Sequence, residues 1–325
     1  MVSMATTKHQ AQSAQKKLEK AIRTVKIIST TALIIGILAI VIAAYPLVSG
    51  LLAGPAPNFG HTLAGINTPL TPAQLAVINN ASNSYFEQAG EMYLNHSLPN
   101  VGGASVSRTN SLVVNGKPSV IYLGATSCIY CGENRWAMAL ALSRFGQFGT
   151  LYTGYSALGD GDVPTIYWSP ALYNTSSATT FGSNYTSSYI NFLPIEYQSK
   201  ITLGFQVQSI PYFQQQAQAN GNGAYINATN LIAQLNTFQG TPYTIWGRDI
   251  VPGADAIAFT NGNTTIMNMT HAQIYAQLAN PDNQFSWTQY AGADLYIAMV
   301  CSSMGNTPPI CSLPAIQGIE RVSGF

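Results

Sequence analysis

Cys128 and Cys131 stand with two residues between them, and Gly132–Phe145 follows with helical apolar spacing at Trp136, Leu140 and Phe145. Two thiols bracketing the first turn of a helix suit one chemistry well, reversible thiol–disulfide exchange. The free amides and positive end of the helix favour the thiolate of Cys128 and lower its pKa. Cys131, one turn later, can close a disulfide with it.

The elements that must position this pair are legible around it. Ser119–Leu123 reads as a buried strand, and Gly124–Ser127 breaks it. Asn115-Gly116 is a hairpin turn signal before the strand, and Thr150–Tyr155 fits the next strand, giving a βαβ unit. Glu133 and Arg135 fall early in the helix. Glu133 suits the helix dipole, yet its charge opposes a thiolate at Cys128. Trp136 reads as core.

Ser127–Trp136 resembles the active-site segment of thioredoxin-fold disulfide oxidoreductases, with Tyr130 before the second cysteine as in bacterial secreted oxidases and isomerases. The segment after the apolar stretch also resembles a membrane-anchored archaeal family with a thioredoxin-like domain and no established function. The resemblance covers roughly residues 85 to 320 and is specific at the cysteines and at Gly240–Trp246. Ile129, where the pattern has Pro or Gly, is a departure. The resemblance implies Cys128 as exposed nucleophile and Cys131 as resolving thiol. It implies a cis-proline facing the pair at Pro242, with Thr241 presenting backbone to a bound peptide beside Ile129 and Tyr130; Pro164 and Pro211 are rivals. No cofactor is implied.

Only 8% of the 325 residues are charged, against about 25% in ordinary domains, which suits a medium of low pH. Residues 1–26 carry six basic residues and one acidic, and the remainder carries seven basic and eleven acidic. Little is left to grip nucleic acid, which excludes that partner class. Residues 27–45 are uncharged, and at about 1.5 Å per residue they approach the roughly 30 Å hydrocarbon core. The expectation is one transmembrane helix within 27–52, in a lipid bilayer, with the basic tail 1–26 cytoplasmic and the rest extracellular. A cleaved signal peptide is the alternative, with a shorter apolar core.

Seven Asn-x-Ser/Thr triplets follow the anchor and agree with an exported glycoprotein: Asn80, Asn95, Asn174, Asn184, Asn227, Asn263 and Asn268. Cys301 and Cys311 bracket a turn-rich loop, expected to be a structural disulfide, with a second redox pair as the alternative. A four-thiolate zinc site is disfavoured because that second spacing is too wide, so no metal is expected.

The fold class expected is α/β: an N-terminal transmembrane helix, then a thioredoxin-like fold with a large insertion between the active-site helix and the cis-Pro strand. Residues 53–110 form a linker and helical segment, with one helix from Thr71 running toward Leu94. Residues 111–325 form the thioredoxin-like domain, with the insertion at about 159–239. The function expected is extracytoplasmic, membrane-anchored thiol–disulfide exchange on exported client proteins with cysteines, reset by a redox-recycling membrane partner. The competing reading is a non-catalytic surface module with structural disulfides.

Overall fold

In the computed structural model the residues described are 65–98, 101, 106–156, 163–171, 177–199, 210–235, 241–253, 266 and 269–325. The basic tail and the expected anchor lie outside them. No helix among the described residues is long and apolar enough to cross a membrane. These residues form a mixed α/β structure.

The sheet is built around β3 (Lys117–Ala125), whose last seven residues are buried. The hairpin from β2 (Val113–Val114) turns through Asn115 and Gly116, both at positive φ, as a two-residue turn between twisted strands requires. On one side β3 pairs in parallel with β9 (Asn191–Ser199), matching Val120 to Phe192 and Leu123 to Ile195. On the other it pairs antiparallel with β10 (Tyr243–Trp246), which is followed by β11 (Asp249–Pro252). Short β1 (Ser107–Arg108) and β7 (Ser177–Phe181) complete the order β1-β11-β10-β3-β9-β7.

The βαβ expectation is corrected in its second strand. Thr150–Tyr155 does not return to β3. Its residues divide between β4 (Gly146–Thr150), paired with β8 (Asn184–Ser187), and β5 (Tyr152–Ser156), paired with β6 (Val163–Tyr167). The parallel partner is β9, inside the segment expected as an insertion. Gly154 leaves room for the Tyr167 ring in the β5–β6 pair, since an added Cβ would stand 2.0 Å from it.

The expected helix from Thr71 is two helices. The capping box of Thr71 and Gln74 starts α1 (Pro72–Asn79). Ser82 caps α2 (Asn83–Leu94). Between them the Arg144 guanidinium donates to the carbonyls of Asn79 and Ala81 at 2.7 and 2.6 Å, satisfying groups a helix end leaves open.

Helix α3 (Ile129–Leu142) carries the cysteines, and 12 of its 14 residues are buried. The hairpin α4 (Ile210–Asn220) and α5 (Gly223–Leu235) follows β9, and α6 (His271–Ala279) follows β11. Helix α7 (Gln284–Ser303) has 16 of 20 residues buried, because it packs against α2, α3 and α8 (Pro314–Ser323) at once. Trp246 of β10 stacks on Tyr296 of α7 at 4.1 Å between ring centroids, worth about 0.5–1.5 kcal/mol beyond area burial.

Candidate functional site

The strand β3 ends on Ala125, and Cys128 is the N-cap of α3 in extended backbone. Its Sγ accepts from the Cys131 amide at 3.2 Å, satisfying one of the open donors of the helix start. Both cysteines are free thiols. The Thr241–Pro242 bond at the entrance to β10 is cis, and the Cys128 thiol donates to the Thr241 carbonyl at 3.5 Å. Strand polarity brings these together: β10 runs antiparallel to β3, so its first residues stand beside the last residues of β3, where the cysteine loop begins. Residues 113 positions apart thus meet at the C-terminal end of β3, in the middle of the sheet.

The two thiols differ in protonation. Burial pushes Cys128 up. Hydrogen bonds with the Cys131 thiol and amide, a side-chain hydrogen bond with Thr241, and the positive charge of Arg135 outweigh it, holding Cys128 below the ordinary thiol range. Burial, the hydrogen bond with Cys128 and the Cys128 charge push Cys131 well above that range. The first thiol is therefore set to ionise and the second to keep its proton.

Arg135 is the contributor that spacing alone does not reveal. It stands four residues after Cys131, on the same helical face, and its side chain is wholly buried. It pairs with Glu196 of β9, donates to the Ala125 carbonyl at 3.0 Å and to Ser156 Oγ at 3.1 Å, and lies over the rings of Tyr122 and Tyr167. Burial opposes its charge, and the Glu196 carboxylate holds it against that cost. A signal for the pair exists in sequence: Glu196 is the lone carboxylate in the apolar run Phe192–Tyr197. On α7 the Tyr296 hydroxyl donates to Asn134 Oδ1 at 2.6 Å, fixing α3 from its other side.

Of the residues expected to form the site, Cys128, Ile129, Tyr130, Cys131, Thr241 and Pro242 stand at this end of β3 and β10. Tyr130 is exposed, and Cys128 is 0% exposed rather than the open nucleophile expected. Its sulfur is seated between the Cys131 amide and the Thr241 carbonyl. Glu133 is also buried, and burial raises its carboxyl to about 7, so its opposing charge is reduced. Cys301 and Cys311 are bonded to each other with 5.5 Å between Cα atoms, joining the end of α7 to the turn Pro309–Ser312. That pairing leaves two thiols for a four-thiolate metal site. Asn80, Asn95, Asn184 and Asn227 are exposed. Asn174, Asn263 and Asn268 lie outside the described residues.

Residues 104–245 match the model of a domain of unknown function (DUF929), a stretch that includes the cysteine loop and reaches into β10. No curated protein matches the chain, and no solved structure does.

Proposed function

We propose that this chain is a thioredoxin-like thiol–disulfide oxidoreductase, membrane-anchored with its catalytic domain outside the cytoplasm and acting on exported client proteins. The observation that carries this reading is the split protonation of Cys128 and Cys131 beside a cis Thr241–Pro242 bond. The order β11-β10-β3-β9, with the cysteine helix leaving β3 and β10 entered through the proline, supports the thioredoxin-like assignment.

The exchange balances as follows. The Cys128 thiolate attacks one sulfur of a client disulfide. A Cys128–client bond forms, and the other client sulfur leaves as thiolate and takes a proton. The Cys131 thiol loses its proton and attacks Cys128 Sγ. The client leaves as a dithiol, reduced by two electrons, and Cys128–Cys131 is oxidised. Run in reverse, client thiolates are oxidised and the pair is reduced. Either direction needs a redox partner at the membrane to reset the pair. Backbone at Thr241 holds the client chain beside Ile129 and Tyr130.

The burial of Cys128 favours a second reading, a non-catalytic surface module with Cys128–Cys131 as a permanent disulfide. The reduction potential of the pair in the full chain, measured in thiol buffers with alkylation, separates the two. A value between about −120 and −200 mV supports an oxidase or isomerase, and one near −270 mV a reductase. A pair that resists reduction below about −300 mV overturns the catalytic reading.

A further inference from the structure

Helices α2, α7 and α8 meet at Asp294, a carboxyl with no solvent exposure and no hydrogen-bond partner on either oxygen. The contact is close where α2 meets α7 and α8. A methyl placed on Gly90 of α2 would stand 3.2 Å from Asp294 Oδ2 and 2.7 Å from the Ala315 side chain of α8. The groups facing Asp294 offer no compensating charge. From α2 comes Glu87, whose carboxylate accepts from the Ala315 amide at 3.3 Å, at the start of α8. From α7 comes Tyr290, whose hydroxyl is spent on the Leu278 carbonyl, with Tyr85 of α2 beside it. At this contact α8 presents Ala315 and Ile319. Arg144 lies near Tyr290 but is committed to carbonyls at the end of α1.

We infer that the seating of α8 on α2 and α7 is proton-linked through Asp294, so that α8 is held in acid and released as Asp294 ionises. A neutral carboxylic acid fits a dry site better than a carboxylate next to Glu87. Burial and then Glu87 hold the Asp294 carboxyl well above its ordinary range. The folded state therefore keeps a proton that the unfolded state has lost, and stability falls as pH rises between the two pKa values. Cys301–Cys311 joins the end of α7 to the turn before α8, so a released α8 stays tethered. The sparse charge of the whole chain suits the same acidic setting.

Hydrogen–deuterium exchange on the full chain, from about pH 4 to about pH 8, tests this through the protection factors of the α8 amides. In the native protein, protection falls by up to about tenfold per pH unit between the two pKa values of Asp294, and in Asp294→Asn that fall is lost, leaving only the shallower one due to Glu320 of α8, whose carboxyl burial also raises. Constant protection in the native protein, or the same slope in Asp294→Asn, overturns the inference. If Asp294→Asn fails to fold, Glu87→Gln decides: removing the like charge moves the midpoint to lower pH, and an unmoved midpoint overturns the inference.

Discussion

Arg135 and Glu196 form an ion pair with both side chains out of water, tying the cysteine helix to the strand that runs parallel to β3. Removing one partner from such a pair strands a charge in the core, whereas replacing both with apolar groups is often neutral. Arg135→Met is therefore expected to cost about 3–5 kcal/mol by urea denaturation, and Arg135→Met with Glu196→Met to recover most of it. In both variants the Cys128 thiol titrates higher, read from the pH profile of its alkylation rate. An unchanged profile in the double variant would remove Arg135 from the account of the site.

Under the proposed exchange, loss of Cys131 should arrest the reaction halfway. Cys131→Ala incubated with a disulfide-bearing test substrate is expected to accumulate a covalent adduct at Cys128 that dithiothreitol releases. Cys128→Ser should give none. Mass spectrometry reads both, and an adduct-free Cys131→Ala would count against Cys128 as nucleophile.

Glu133 gives a pH signature of its own. Its carboxyl rises from 4.5 to about 7 through burial, so the folded state holds the proton more tightly than the unfolded state. Stability is full below about pH 4.5 and declines as pH rises to about 7, by about 3 kcal/mol in total. Glu133→Gln should lack that decline. Thermal unfolding across this range checks it; equal slopes in the two proteins would mean that Glu133 does not titrate with folding.

The Cys301–Cys311 bond closes a loop with a sequence separation of 10, which on chain entropy stabilises by about 3 kcal/mol. Cys301→Ala with Cys311→Ala should lose about that much, with the alkylation of Cys128 unchanged. A changed Cys128 reactivity would instead support a relay between the two pairs.

What was legible in the sequence follows the range of the interaction. The β2–β3 hairpin, the Thr71 cap and the cysteine helix are set by neighbours, and turn residues, caps and periodicity reveal them. The parallel partner of β3 is not local. β9 contains Pro194, which cannot donate to a ladder, and Glu196, a charge whose counter-ion lies 61 positions away. Both features argue against a central strand until the fold supplies Arg135. The split of α1 from α2 hides in the same way, because Arg144 takes the carbonyls at the break from 63 residues away. At the site, both cysteines and Thr241-Pro242 are visible as motifs; the burial of Cys128 is not, since no spacing reports which groups surround a sulfur.

The position of α7 has a consequence for biosynthesis. Helices α2 and α3 bury themselves against a helix that is made last among them, ending at Ser303 while α3 ends at Leu142. At about 5–20 residues per second, roughly 160 residues of translation separate the two, a delay of about 8–30 s. Through that interval the cysteine helix lacks one of its covers and its thiols have only each other for company. Cys301 and Cys311 emerge afterwards, again as near neighbours. During that interval a crossed disulfide would need a cysteine that has not yet been synthesised.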